Sequence, residues 1–134
     1  MIVGGRIVSV KAEKLKDEQM KGLSVNVSVE SIAPDANMVK VSYTYSINYN
    51  DKVAKMEIKG DLFVQPDSDM GRKITAGWNK NRNMPPDCAE EILSAISYAG
   101  SSVGTLLAFS LGIQAPINMP RAKLAPADLS PKAG

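Results

Sequence analysis

The side chains in this sequence that could do chemistry are few, and their spacing does not bring them together. The chain contains no histidine, which removes the commonest general base and the commonest metal ligand at once. A serine triad of the usual kind cannot be built without one. One cysteine, Cys88, excludes an intramolecular disulfide and cannot supply a structural zinc site. Cys88 falls in the first turn of an expected helix, where the dipole favours a thiolate. No imidazole is there to pair with it, so it reads as a small packed residue. The carboxylates form two loose pairs, Asp67 with Asp69 and Glu90 with Glu91. Two carboxyls that act on one substrate must face each other across it; adjacent Glu90 and Glu91 diverge on a helix, and they suit its positive end instead. No Gly-x-Gly-x-x-Gly run or P-loop is present, and Gly4-Gly5 is too short to cradle a phosphate. The expectation is a protein that is not an enzyme, with no catalytic residues, cofactor or metal.

Composition bounds the scaffold. With 134 residues, 44% hydrophobic and 22% charged, the chain fits one ordinary domain with its own core. Only 5% of residues are aromatic, so that core must rest on Val, Ile, Leu, Met and Ala. The net charge of +2 is too mild to argue for nucleic acid. Lys11, Lys14, Lys16, Lys21, Lys40, Lys52, Lys55 and Lys59 are interspersed with acids and read as a solvated surface. Met1–Arg6 has no basic region followed by an apolar stretch, as a secretory leader would, so the expected location is cytoplasmic.

Period-2 alternation predicts strands through the first half. Between Met38 and Tyr49, Val39, Val41, Tyr43, Tyr45, Ile47 and Tyr49 fall on one face, with Lys40, Ser42, Thr44, Ser46 and Asn48 on the other. After the turn pair Asn50-Asp51, Ala54, Met56, Ile58, Gly60, Leu62 and Val64 alternate with Lys55, Glu57, Lys59 and Asp61. This predicts an antiparallel hairpin. Weaker strands are expected over 23–32 and 2–15, the latter bent near Gly4-Gly5. Residues 66–84 read as irregular and polar. Ile74 and Trp78 could share a helical turn there, with Trp78 either plugging the sheet edge or touching a partner.

A long helix is predicted from Pro85-Pro86-Asp87, since proline suits a first helical turn, to Gly112. Ala89, Ile92, Ile96, Ala99, Val103 and Leu106 make one apolar stripe; Leu93, Gly100, Gly104, Leu107 and Leu111 make a second. Residues 92–113 carry no charge and are long enough to span a bilayer, and Gly100-x-x-x-Gly104 is a spacing used in membrane helix dimers. Against a membrane association, serines and a threonine gather on one side, as on an amphipathic helix covering a sheet. Gly100 and Gly104 are then expected to let the helix approach a neighbour closely. Residues 125–134 are expected to be a disordered tail after a single domain, 1–124.

Two segments carry a family resemblance. Pro86-Asp87-Cys88-Ala89-Glu90-Glu91-Ile92 resembles the proline-led helix start of the bacterial export chaperone SecB, and Ala115-Pro116-Ile117-Asn118-Met119 resembles the segment after that helix. The order of four strands, helix and segment is similar as well, and Val53–Gly60 resembles an uncharacterised archaeal family with the SecB-like fold. The resemblance implies an α+β fold, with a four-stranded antiparallel sheet and a long helix across one face. It also implies homo-oligomers and, for SecB itself, binding of unfolded polypeptides in apolar grooves. On that basis Ile113, Ile117 and Met119 are candidate polypeptide contacts, or else residues that pack the last segment onto the domain. An assembly protein without client binding is the alternative.

Overall fold

The computed structural model describes residues 2–18, 21–113 and 115. Four strands, β1 (Ile2–Lys14), β2 (Leu23–Asp35), β3 (Met38–Tyr49) and β4 (Ala54–Val64), are followed by two helices, α1 (Asp69–Asn81) and α2 (Pro86–Leu111). The strands form one antiparallel sheet in the order β1-β4-β3-β2. The expected α+β class and four-stranded sheet are therefore present.

The alternation decides which face is inside. Val39, Val41, Tyr43, Tyr45, Ile47 and Tyr49 of β3 are buried, as are Ala54, Met56, Ile58, Leu62 and Val64 of β4. Ile74 from α1 and Cys88, Ile92 and Ile96 from α2 complete the same core. Burying a branched aliphatic side chain is worth about 1.5–3 kcal/mol, so this one-sided pattern fixes register as well as layer. The β3–β4 connection is a 3₁₀ turn over Asn50–Lys52, with Asp51 and Lys52 left-handed at φ 62° and 56°. Asp tolerates that region. The carbonyl of Val53 just beyond it accepts from the backbone N–H groups of Leu15 and Lys16, which ties the end of β1 to the turn.

Two expectations are corrected. The segment 66–84 is largely helical: α1 runs 13 residues, with the Ser68 hydroxyl accepting from the Gly71 N–H as its N-cap. Strand β2 extends through Ala33-Pro34-Asp35, leaving only Ala36-Asn37 to turn. Pro34 is tolerated because β2 is an edge strand.

Candidate functional site

The long helix is apolar on most of its circumference, and its burial shows which part the sheet uses. Cys88, Ile92, Ile96, Gly100, Gly104 and Ala108 are buried, one every four residues. A Cβ at Gly100 would lie 2.5 Å from Cγ of Tyr45, so the ring of β3 occupies the space a side chain would need. A bulky tyrosine of the sheet thus meets a glycine of the helix. Each of the two apolar stripes turns inward only in part: Ile92 and Ile96 are buried, whereas Leu106 of the same stripe is 68% exposed and Leu93 of the other is also exposed.

What remains outside is an uncharged apolar surface. Tyr98 is 78% exposed and Phe109 82%. Together with Leu106 they flank Ser101, Ser102 and Thr105. The hydroxyls here are already satisfied: Ser101 and Ser102 donate to the Tyr98 carbonyl, Thr105 to that of Ser101, and Ser110 to that of Leu106. Such back-bonding removes the donors that would otherwise hold water on this face. By length and composition α2 could cross a membrane, but one of its sides is committed to the sheet.

Gly112, at φ 67°, ends the helix; its N–H bonds the Phe109 carbonyl, and that of Ile113 bonds Ala108. Ile113 is half-buried against the core. Ile117 and Met119, like the tail over 125–134, lie outside the described residues. Gly104 is among the buried residues of the helix. At the other end, the Lys73 ammonium lies 3.1 Å from Asp69 and 3.5 Å from Asp87, linking the starts of α1 and α2. Cys88 is buried, and burial pushes its thiol pKa up, which leaves it a packed thiol rather than a nucleophile. Trp78 is half-buried with Arg82 over its ring, and its buried Nε1–H has no acceptor among the described residues.

The opposite face of the sheet is polar, with one buried charge. Asp61 is 5% exposed. It accepts from Arg6 Nε at 2.9 Å and from the Ser42 hydroxyl at 2.8 Å. Burial works to raise its pKa, but the hydrogen bonds from Ser42 and Arg6 and the charges of Arg6 and Lys40 prevail and hold it below the usual carboxylate value. The Arg6 guanidinium also lies 5.4 Å over the Phe63 ring. Sequence reading missed this constellation; the signal available was an acidic residue on β4 directly opposite a β1 arginine. No group of three or more acidic or cysteine side chains that could hold a metal occurs among the described residues.

Comparison with known proteins agrees with this architecture. No protein-family model matches the chain, and no curated protein matches it. Among solved structures, it is similar to the Rv1957 SecB-like chaperone of Mycobacterium tuberculosis, solved in complex with a ChAD peptide from the Rv1956 HigA1 antitoxin. The TM-score is 0.62 at 12% sequence identity, over 89% of this chain and 85% of that one. The fold is SecB-like.

Proposed function

We propose that this protein binds non-native polypeptide without catalysis, on the outer side of α2 and the segment that follows it. The observation that carries the reading is the exposure of Tyr98, Leu106 and Phe109 on the stretch of α2 after Glu91, which has no charged residue and in which Ser102 and Thr105 donate within the helix. Aromatic and aliphatic side chains on such a surface give sequence-tolerant contacts, because burial of apolar area has no directional requirement. Ile113, Ile117 and Met119, in the sequence that follows the helix, are further candidate contacts, methionine being adaptable to varied clients. The SecB-like neighbour, solved with a peptide bound, supports the reading at the level of fold.

The test is the refolding of a slow-folding test protein at equal molarity. Wild-type protein arrests it; the double variant Leu106→Ser, Phe109→Ser, with an unchanged circular dichroism spectrum, weakens the arrest at least about fivefold, the factor that about 1 kcal/mol carries. Ile117→Asp weakens it as well. Equal arrest by wild type and double variant contradicts the assignment to α2.

A second reading is favoured by the shape of the same face. Bulky Tyr98, Leu106 and Phe109 alternate with small Ser101, Ser102 and Thr105, as ridges and grooves do between packed helices. A second copy on this face would make the protein an assembly unit, a fixed oligomer by light scattering, with no effect on refolding.

A further inference from the structure

Strand β1 is held to the sheet unevenly. Its second half is tied at several points. Ala12 packs against the core, Glu13 pairs with Lys55 at 3.8 Å, and the N–H groups of Leu15 and Lys16 just beyond donate to the Val53 carbonyl. The first half has little of this. Register shifts at Ile2/Gly4 and Ile7/Ser9 set residues 4–7 apart as a short run paired with Phe63, Leu62, Asp61 and Gly60. Such a shift leaves a residue unpaired and breaks the continuity of the ladder. Two residues of the run are glycines, and a side chain at Gly4 would meet nothing. Val3, Ile7 and Val8 are exposed. Among the described residues of this half, Ile2 alone packs against the core.

What holds the run is a contact across three strands at Arg6. On the polar face of the sheet, the Asp61 carboxylate of β4 accepts from Arg6 Nε of β1 at 2.9 Å and from the Ser42 hydroxyl of β3 at 2.8 Å. On the core face, the preceding Gly60 makes room: a Cβ there would lie 2.5 Å from the Tyr43 hydroxyl and 2.6 Å from the Arg6 carbonyl oxygen. Tyr43 of β3 thus reaches over β4 to the backbone of β1. Asp61 is buried, and a buried carboxylate that loses its cation is strongly unfavourable.

We infer that residues 2–8 form a strap that opens from β4 as a unit, hinged at the Ile7/Ser9 shift, and that Asp61 is the clasp that keeps it shut. Folded chains open in contiguous units, and those with few buried apolar contacts open first. Opening takes Arg6 away from Asp61 and gives the carboxylate to water. The charged and titratable groups around Asp61 are Arg6, Glu30, Lys40, Tyr43, Glu57 and Lys59. Burial works to raise the Asp61 pKa, and the hydrogen bonds from Ser42 and Arg6, with the charges of Arg6 and Lys40, bring it below the ordinary value. Opening therefore takes up a proton, and the strap loosens as the pH falls from the ordinary carboxylate range toward the lowered value. Tyr43, raised by burial and then by the Asp61 charge, stays neutral throughout.

The experiment is native-state hydrogen exchange on the full chain, read residue by residue by NMR and corrected for the intrinsic rate at each pH. Amides of residues 4–7 are compared with the protected amides of 41–47 in β3. Asp61→Asn and Arg6→Gln are each expected to speed exchange at 4–7 at least about tenfold, as loss of a hydrogen bond to a charged group implies, and to change 41–47 by less than about twofold. Equal acceleration of both sets makes Asp61 a contributor to global stability only and overturns the strap. Unchanged exchange at 4–7 overturns the clasp. A wild-type series from neutral pH down to about pH 3 needs no variant, so a variant that fails to fold cannot hide the answer. Exchange at 4–7 should rise ahead of that at 41–47 as the pH falls; a parallel rise across the sheet overturns the inference.

Discussion

At the scale of single residues, the fold turns on where a side chain is missing and where a charge is buried. Gly100 has no side chain because Tyr45 fills the position. Alanine in a helix interior gains about 1 kcal/mol over glycine, but overpacking a core costs about 1–3 kcal/mol. Gly100→Ala is therefore expected to lower the urea midpoint; a raised midpoint would show that the ring yields freely. The buried ionisable groups set the pH limits. Burial, and then the neighbouring Tyr45, pushes Tyr49 up to about 12, and burial likewise raises Tyr43 and Tyr45. A raised pKa leaves full stability below the unfolded value near 10 and withdraws it as the pH rises toward the folded value. Unfolding is thus expected between about pH 10 and 12, and Tyr49→Phe should move it upward in an alkaline titration followed by circular dichroism. For Asp61 the sign reverses. Its lowered pKa stabilises the fold at neutral pH, and that contribution is lost as the pH falls from the ordinary carboxylate range through the lowered folded value. Asp61→Asn should flatten the acid limb of the same titration.

At the scale of elements, the sheet was legible because one face is buried and period 2 is unambiguous. Alternation placed β3 at its observed bounds and assigned both of its faces. Helix α1 was not read, because Gly71, Gly77, Asn79 and Asn81 are weak helix formers and the stretch is polar. Its signals were Ser68 at the cap and the four-residue spacing of Met70, Ile74 and Trp78. Ser68→Ala is expected to cost about 1 kcal/mol, seen as early loss of helical signal in thermal melts; an unchanged melt would mean that the cap hydrogen bond is dispensable. Helix α2 was found, with two apolar stripes between which the sequence did not choose, and its buried side takes part of each. A helix apolar on most of its circumference does not announce which stripe is buried. The partner decides, and here Tyr45 of β3 lies against Gly100 while Leu106 is left outside.

At the scale of the molecule, a single sheet covered on one side by helices leaves apolar side chains exposed on the outer side of α2. The proposed polypeptide-binding site was suggested only by resemblance, since no composition or spacing distinguishes a client surface from a packing surface. Two of its proposed residues, Ile117 and Met119, lie beyond those described. Light scattering should separate the two occupants of α2. A concentration-dependent mixture that shifts when unfolded client is added fits client binding; a fixed oligomer indifferent to client fits assembly. The most direct measurement is the refolding rate of the slow-folding test protein with and without equimolar protein. Client binding through α2 requires arrest by wild type and clear recovery with the Leu106→Ser, Phe109→Ser variant. An unchanged refolding rate with folded wild-type protein would contradict it, leaving a SecB-like fold that builds assemblies.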